Sequence, residues 1–339
     1  MKDKKFQMAT GATCVRFLSR VEALDGAEQP GTLSVFDLNT SNLFSNRCKH
    51  TIVLDPGESS KSWRSVERIL DSALDAEIGR DGRFFGIGGG VIGDMTAFGA
   101  SIYMRGCGVI LVPTTLLAMI DASVGGKTGI DFRGFKNMIG TFYPASEVRL
   151  CIDVLSSLPQ RDYKSGLSEV IKHAFLGDAV LLEMLENNAA SVIDRDQSLM
   201  LELVSRSIDV KGRIVEQDAR EQGIRANLNF GHTFAHALET ATGFRAWTHG
   251  EAVAWGIDKA LRLGVLLNIT DQGYAERVRS VLRLYDYPLE APTINPDKII
   301  EAMRQDKKKR RGLIQFVLQK DFGQTVLETV EPDLVRRIL

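Results

Sequence analysis

Cysteine is scarce: the 339 residues hold four, Cys14, Cys48, Cys107 and Cys151, and no two form a CxxC pair. That excludes a zinc knuckle and a disulfide framework, and reduced thiols of a cytoplasmic protein are the expectation. A surplus of either charge is also missing, since 42 basic residues face 43 acidic ones for a formal net charge of -1. Polyanion binders carry a clear basic excess, so nucleic acid is not expected as a partner. Long hydrophobic runs are lacking too. The most apolar stretch, Val109 to Ile120, is short and broken by Pro113, Thr114 and Thr115, and Met1 to Gln7 has no apolar signal core. Neither export nor membrane insertion is expected. Repeats, low-complexity tracts and obvious flexible linkers are likewise absent.

What the chain does hold is 44% hydrophobic residues, 25% charged residues and 31 glycines, the make-up of a globular protein whose backbone approaches a ligand. Single cores stop growing near roughly 250 to 300 residues, so this length predicts two domains. Apolar runs at Thr32 to Phe36, Thr51 to Leu54, Arg83 to Ile87 and Gly108 to Val112 alternate with helical periodicity at Ser62 to Ile78 and Met95 to Tyr103. This predicts an α/β domain with a mainly parallel sheet over residues 1–159. Longer amphipathic stretches follow at Lys164 to Leu176, Gln197 to Gln217, Thr233 to Thr242 and Glu251 to Leu267. They predict a mostly α-helical domain over residues 160–339, with a strand pair at Leu313 to Leu318 and Thr325 to Thr329. Lys307 to Arg311 is the one charge run, by itself a solvated loop or an interaction patch.

Of five histidines, His232, His236 and His249 fall in one short stretch. On a helix the first two, four apart, share a face, and Gly250 lets the third imidazole turn in. A lone helical His is more often a core or surface residue, but three clustered ones point to a divalent metal such as zinc. A carboxylate commonly completes such a site, and Glu169 is the candidate.

Gly88, Gly90 and Gly93 satisfy G-x-G-x-x-G between a strand and a helical pattern, the context in which backbone N–H groups hold a pyrophosphate. The ribose-reading acid expected about 20 residues on is missing from Cys107 to Thr114. Asp37, at the end of an earlier strand, is well placed to replace it, with Asn39 nearby. A glycine loop alone is as readily a plain tight turn. Asp121 to Gly129 couples glycine pairs to Lys127, but Asp121 stands where a Walker loop needs glycine, which excludes an NTPase. Lys127, with Arg105, Lys136 and Asn137, instead supplies cations and an amide for an anionic substrate.

These elements in this order closely resemble the 3-dehydroquinate synthase family of sugar-phosphate cyclases, from about Asp37 to Leu339. The motifs are Gly57-Glu58 with Lys61, Gly88 to Asp94, Tyr103 to Gly106, Pro113 to Thr115, Asp121 to Thr128, Lys136 to Gly140, Glu169 to Lys172, Arg225 through Asn229 to His236, and His249 to Ala252. The resemblance implies an NAD-binding α/β domain and a helical domain binding a divalent metal, zinc or cobalt, in a homodimer. The implied metal ligands are Glu169, His232 and His249. His236 then serves the substrate as acid/base or phosphate contact, unlike the ligand pair that spacing alone suggests. Around NAD the resemblance implies Asp37, Asn39, Glu58, Lys61, Gly89, Gly90, Asp94, Thr114, Thr115, Lys127, Lys136, Ser157 and Asp162. Catalytic and substrate contacts would be Arg105, Asp121, Lys127, Asn137, Lys172, Lys211, Arg225, Asn229 and one of Lys307 and Lys308. Without the resemblance, Lys211 and Arg225 read as solvated helix charges and Glu169 with Lys172 as a surface pair. Phe135 and Ala235 stand where the family usually has glycine, and Ser157 and Asp162 where Thr and Glu are more usual.

The implied activity is conversion of 3-deoxy-D-arabino-heptulosonate 7-phosphate to 3-dehydroquinate, with NAD acting catalytically through oxidation, phosphate elimination, reduction and aldol closure. Cations would offset the carboxylate and phosphate charges that oppose carbanion formation. The rivals are a sister cyclase closing sedoheptulose 7-phosphate or glucose 6-phosphate, a metal-dependent polyol dehydrogenase, and a non-catalytic regulator on the same fold. Retention of Asn229, Lys127 and the Lys307 to Lys309 run favours a substrate carrying a carboxylate.

Overall fold

The computed structural model describes residues 2–243, 246–290, 294–307 and 314–339, without the side chains of 45 and 305–307. The chain divides into two compact units, Met1–Pro159 with Lys211–Arg220, and Gln160–Val210 with Glu221–Leu339.

The first unit is built on a seven-stranded sheet. Its strands are β1 (Lys4–Met8), β2 (Gly11–Phe17), β3 (Thr32–Asp37), β4 (His50–Leu54), β5 (Arg83–Gly88), β6 (Gly108–Pro113) and, after a separate hairpin of β7 (Lys127–Phe132) and β8 (Phe135–Phe142), β9 (Glu147–Leu150). The order is β1-β2-β9-β6-β5-β3-β4, parallel throughout except for the β1/β2 pair. All six residues of β3 and the last five of β5 are buried. A parallel strand covered on both faces is buried at consecutive residues and so carries a mostly apolar run, which is why these strands were readable from sequence. Both sheet edges carry a charged cover: the Gln7 N–H on β1 donates to Glu216 Oε1 at 2.7 Å, and Arg68 donates to the Val53 carbonyl on β4 at 3.1 Å.

The four strands and two helices expected in this half are present, with shifted ends. The helix after the glycine loop spans Gly90–Ile102, starting five residues before the expected Met95, and Trp63–Asp75 lies inside Ser62 to Ile78. The strand pairs β1/β2 and β7/β8, and β9, were not anticipated. β1 and β2 are short and half polar, while β7 and β8 hide their alternation behind Gly129 and Gly140.

The second unit is helical, with β10 (Ile314–Asp321) and β11 (Gln324–Val330) as an antiparallel pair. Its helices include Gln160–Gly177, His232–Ala241 and His249–Leu266, close to their expected spans. No helix among the described residues is long and apolar enough to cross a membrane. Two close crossings fix these three helices. A Cβ on Gly250 would lie 2.4 Å from the Ser165 backbone, and one on Gly256 would lie 2.2 Å from the Gly231 carbonyl. Ser165 also takes the Gly250 N–H on its hydroxyl at 3.1 Å. Backbone is thus pressed on backbone one turn from Glu169, and Thr248 with Glu251 closes a capping box that sets His249 in the first helical turn. Because that crossing has no room for a methyl group, Gly250→Ala should cost about 1–3 kcal/mol of overpacking, read as a lowered midpoint in urea unfolding. An unchanged midpoint would contradict the crossing.

Candidate active site

In the second unit the helices bring Glu169, His232 and His249 together so that one ligand atom from each lies within 4.8 Å of the others. Both imidazole Nε2 atoms stand 3.6 Å from Glu169 Oε1. The Glu169 side chain is fully buried, while those of His232 and His249 keep 13% and 30% of their exposure. Lys172, one turn along the same helix and itself buried, pairs with Glu169 Oε2. Neither carboxylate oxygen receives a hydrogen bond of ordinary geometry. A buried carboxylate that faces two imidazole nitrogens with Oε1 and a lysine ammonium with Oε2 is a donor set suited to a divalent cation.

The three groups differ in their electrostatics. Burial pushes the Glu169 carboxyl up, but Lys172, with His249 and His232, outweighs it and holds the group well below the usual carboxylate range. Burial and the Lys172 charge hold His232 well below its ordinary value, leaving it neutral as a ligand must be. For His249 burial opposes charge, yet Glu169 and Glu239 together raise it to about 9. His236 has its ring centroid 5.4 Å from that of His232, but its nitrogens do not join the donor group among the described residues.

Glu239 was missed. Its buried Oε1 lies 3.5 Å from His249 Nδ1, the nitrogen facing away from Glu169. Seven residues from His232 and three from His236, it shares their helix face, a spacing visible in the sequence. Elsewhere in this unit Arg225 is buried, and Asn229 donates to Glu221 Oε1 at 2.5 Å. Asp162 is exposed in the first turn of its helix, and Lys308 and the side chain of Lys307 lie outside the described residues.

The first unit gathers a second set of predicted residues. In the sheet order β3 and β5 are neighbours whose following strands depart to opposite sides, so their carboxyl ends flank a topological switch point, where open α/β sheets bind ligands. Asp37 ends β3 and accepts the Asn39 and Thr40 N–H groups at 3.0 and 2.9 Å, and Thr40 donates to the Ile87 carbonyl on β5 at 3.1 Å. Beyond β5, Gly89 caps the helix Gly90–Ile102 with no side chain, leaving first-turn N–H groups for an anion. A shallow recess is lined there by Gly86, Gly88, Gly89, Gly90, Gly93 and Asp94. Thr114 is tied by its N–H to the Gly88 carbonyl at 2.9 Å, and the Thr115 hydroxyl accepts the Ala118 N–H at 3.2 Å. These features fit the pyrophosphate and ribose of a dinucleotide.

Lys61 pairs with Asp94 at 2.6 Å, and burial lifts the Asp94 carboxyl to about 6 against the Lys61 charge. Glu58 follows Gly57, whose φ is 89°, and is exposed. Ser157 spends its hydroxyl on the Val154 carbonyl at 2.9 Å. Lys211 is buried and pairs with Asp121, which lies in a π-helical turn. Lys127, Lys136 and Asn137 are exposed on the β7/β8 hairpin. Arg105 follows Met104 in a turn where both residues are left-handed, φ 69° and 49°. Non-glycine residues pay for that conformation, and the turn is pinned at both sides by Tyr103 to the Ile78 carbonyl at 2.9 Å and Tyr143 to the Cys107 carbonyl at 2.8 Å.

Comparisons with known proteins agree with this geometry. Residues 51–165 match the family model described as 3-dehydroquinate synthase N-terminal, and residues 166–309 the one described as 3-dehydroquinate synthase C-terminal. Among solved structures, the chain is similar to 2-epi-5-epi-valiolone synthase from Streptomyces hygroscopicus subsp. jinggangensis with NAD+ and Zn2+ bound. The TM-score is 0.86 at 28% identity, covering 96% of this chain and 94% of that one. A 2-deoxy-scyllo-inosose synthase complexed with carbaglucose-6-phosphate, NAD+ and Co2+ shares the fold at TM-score 0.86 and 22% identity, over 99% of both chains. A probable glycerol dehydrogenase from Sinorhizobium meliloti shares it more distantly, at TM-score 0.66 and 16% identity over 96% and 94%.

A carboxylate behind a ligating histidine fixes its ring and tautomer, and its loss typically costs about 10- to 100-fold in metal affinity. Glu239→Gln should therefore weaken zinc binding by that order in a competition titration, while Ala at the neighbouring exposed Thr240 leaves it unchanged. Equal affinities for Glu239→Gln and the unaltered protein would remove Glu239 from the site.

Proposed function

Because the chain belongs to the 3-dehydroquinate synthase family of sugar-phosphate cyclases, we propose that it converts 3-deoxy-D-arabino-heptulosonate 7-phosphate to 3-dehydroquinate and phosphate, a step of the shikimate pathway to aromatic amino acids. The observation that carries this reading is the buried set of Glu169, His232 and His249 with Lys172 paired to its carboxylate. In this reading those three residues hold zinc or cobalt, and the glycine loop with Asp37 holds NAD. When bound, the ion supplies Lewis acidity toward an alcohol, and the dinucleotide takes and returns a hydride within one turnover.

The chain's own residues account for the rest. Lys172, held in place by Glu169, presents its charge beside the metal ligands, where negative charge develops during proton removal. Arg225, buried in the same unit, offsets a substrate carboxylate better than a lysine would, because its planar fork matches two oxygens. His236 is exposed and lies outside the donor set, and in this reading its imidazole carries a proton at the phosphate or the leaving oxygen. Lys127, Arg105 and Lys211, which the resemblance assigns to the substrate, are cations of the first unit.

A sister cyclase acting on sedoheptulose 7-phosphate is the second reading, favoured by the likeness to 2-epi-5-epi-valiolone synthase. That substrate has no carboxylate and leaves Arg225 with less to do. A polyol dehydrogenase would release NADH and has no use for the cation set.

Metal-loaded protein with substoichiometric NAD should release many equivalents of phosphate from 3-deoxy-D-arabino-heptulosonate 7-phosphate and none from sedoheptulose 7-phosphate. Turnover of the second sugar alone would replace this reading with the sister cyclase, and stoichiometric NADH without phosphate would replace it with the dehydrogenase. His249→Ala should abolish bound metal, whereas His236→Ala keeps the metal and loses turnover by about 10²–10⁴-fold, the usual contribution of a positioned acid or base. Equal metal loss in both variants would return His236 to the ligand set.

A further inference from the structure

Asn137 sits on the β7/β8 hairpin with φ 52°, a conformation that Asn tolerates better than most residues but does not adopt without support. The support is a closed circuit of three hydrogen bonds. The Lys61 carbonyl accepts the Asp131 N–H at 2.9 Å, the Asp131 carboxylate accepts the Asn137 N–H at 2.8 Å, and the Asn137 side-chain oxygen accepts from the Lys61 ammonium at 2.5 Å. Asp131 falls where the β7/β8 register shifts, between Ile130 and Phe132, which marks an irregularity in the ladder there. The same ammonium is anchored by Asp94 at 2.6 Å, on the helix that opens the glycine loop.

An ammonium has three donors and no acceptor, so it can only face the oxygen of a carboxamide. The Asn137 amide therefore cannot flip without setting its NH₂ against a buried cation. Its nitrogen is turned outward with two hydrogens to give. We infer that Lys61 and Asp131 are positioning residues that convert Asn137 from a two-way amide into a fixed donor, selective for a substrate oxygen that only accepts, such as one of a phosphate or carboxylate. To a hydroxyl that must donate, the Asn137 NH₂ group offers no acceptor. Asp94 ties this orientation to the glycine-loop helix, so the residue that reads the substrate and the loop assigned to the coenzyme share one cation. The inference rests on the placement of Asn137 against substrate in the proposed function, whereas the amide lock itself does not.

Two substitutions and one spectrum test it. Asn137→Asp keeps an oxygen for Lys61 but turns an acceptor toward the substrate, and Asp131→Asn weakens the acceptor that holds the Asn137 backbone. Steady-state turnover of the heptulosonate phosphate should show KM raised about tenfold or more in Asn137→Asp, the loss of one charge-assisted hydrogen bond. Asp131→Asn should raise KM by a smaller factor with kcat nearly unchanged, NAD affinity unchanged by tryptophan quenching, and Asp131→Glu partly restoring KM. Wild-type KM in both Asn137→Asp and Asp131→Asn, or a loss of NAD affinity with KM unchanged in Asp131→Asn, would overturn the inference. Failure of the proposed function shows differently, as wild-type protein that does not turn over this sugar. The lock is then judged alone from the ¹⁵N-asparagine amide spectrum, where the Asn137 NH₂ pair, assigned by its loss in Asn137→Asp, should move in Asp131→Asn. An unmoved pair would sink the lock whatever the substrate.

Discussion

A carboxylate with no exposure to solvent, that of Glu169, sets the terms for the metal-ligand cluster of the helical unit. Taking such a group out of water costs several kcal/mol, and the Lys172 charge, with His249 beside it, favours its ionised form against that cost. That demand explains features that are otherwise costly. Gly250 gives up helix propensity so that its helix can press on Ser165, one turn from the carboxylate. Gly231 adopts φ 81° so that the next residue, His232, begins a helix already facing the cluster. Thr248 spends its hydroxyl on the capping box so that His249 sits in the first turn rather than in a loop. The cluster is thus held by helix backbone, the most rigid support available.

The sheet unit answers a different constraint, the need to approach a ligand with main chain instead of side chains. Parallel strands ending together at a switch point, a helix capped by glycine, and an acid held in place by an Asx-type turn at Asp37 all deliver N–H groups and one carboxylate with little conformational freedom. Fixed backbone donors there lose no side-chain entropy on binding. Lys61, Asp94, Asn137 and Asp131 extend that economy to a side-chain amide.

Much of this was legible in the sequence because the relevant signals are local. The buried strands β5 and β6 are nearly continuous apolar runs and β3 carries Leu33, Val35 and Phe36 around Ser34, and the helix Gln197–Gln217 was delimited by its own periodicity. The first turn of the helix at Gly90 was hidden because glycine has low propensity there and only the tertiary setting makes it helical. β9, four residues long, is a strand only because β2 and β6 flank it. The histidines announced a metal site, but spacing alone pointed to His236 as a ligand, since three and four residues apart are equivalent on a helix until the partner helix is known. Glu239 carried a readable spacing and went unread beside the more conspicuous imidazoles. Asp131 carried none, because its partners come together only when the hairpin folds onto Lys61.

An open sheet leaves a row of unpaired peptide groups along each flank, a template on which another chain can add a strand. At β1 the exposed donor of Gln7 is answered by a carboxylate from Glu216, and at β4 the exposed acceptor of Val53 is answered by the guanidinium of Arg68. Each side chain takes up a peptide group that an incoming strand would need, and does so with a charge that repels apolar company. Lys5, outward on β1, adds to the barrier. The two borders of the sheet are in this way each blocked at one peptide group against an added strand, one by a negative and the other by a positive side chain.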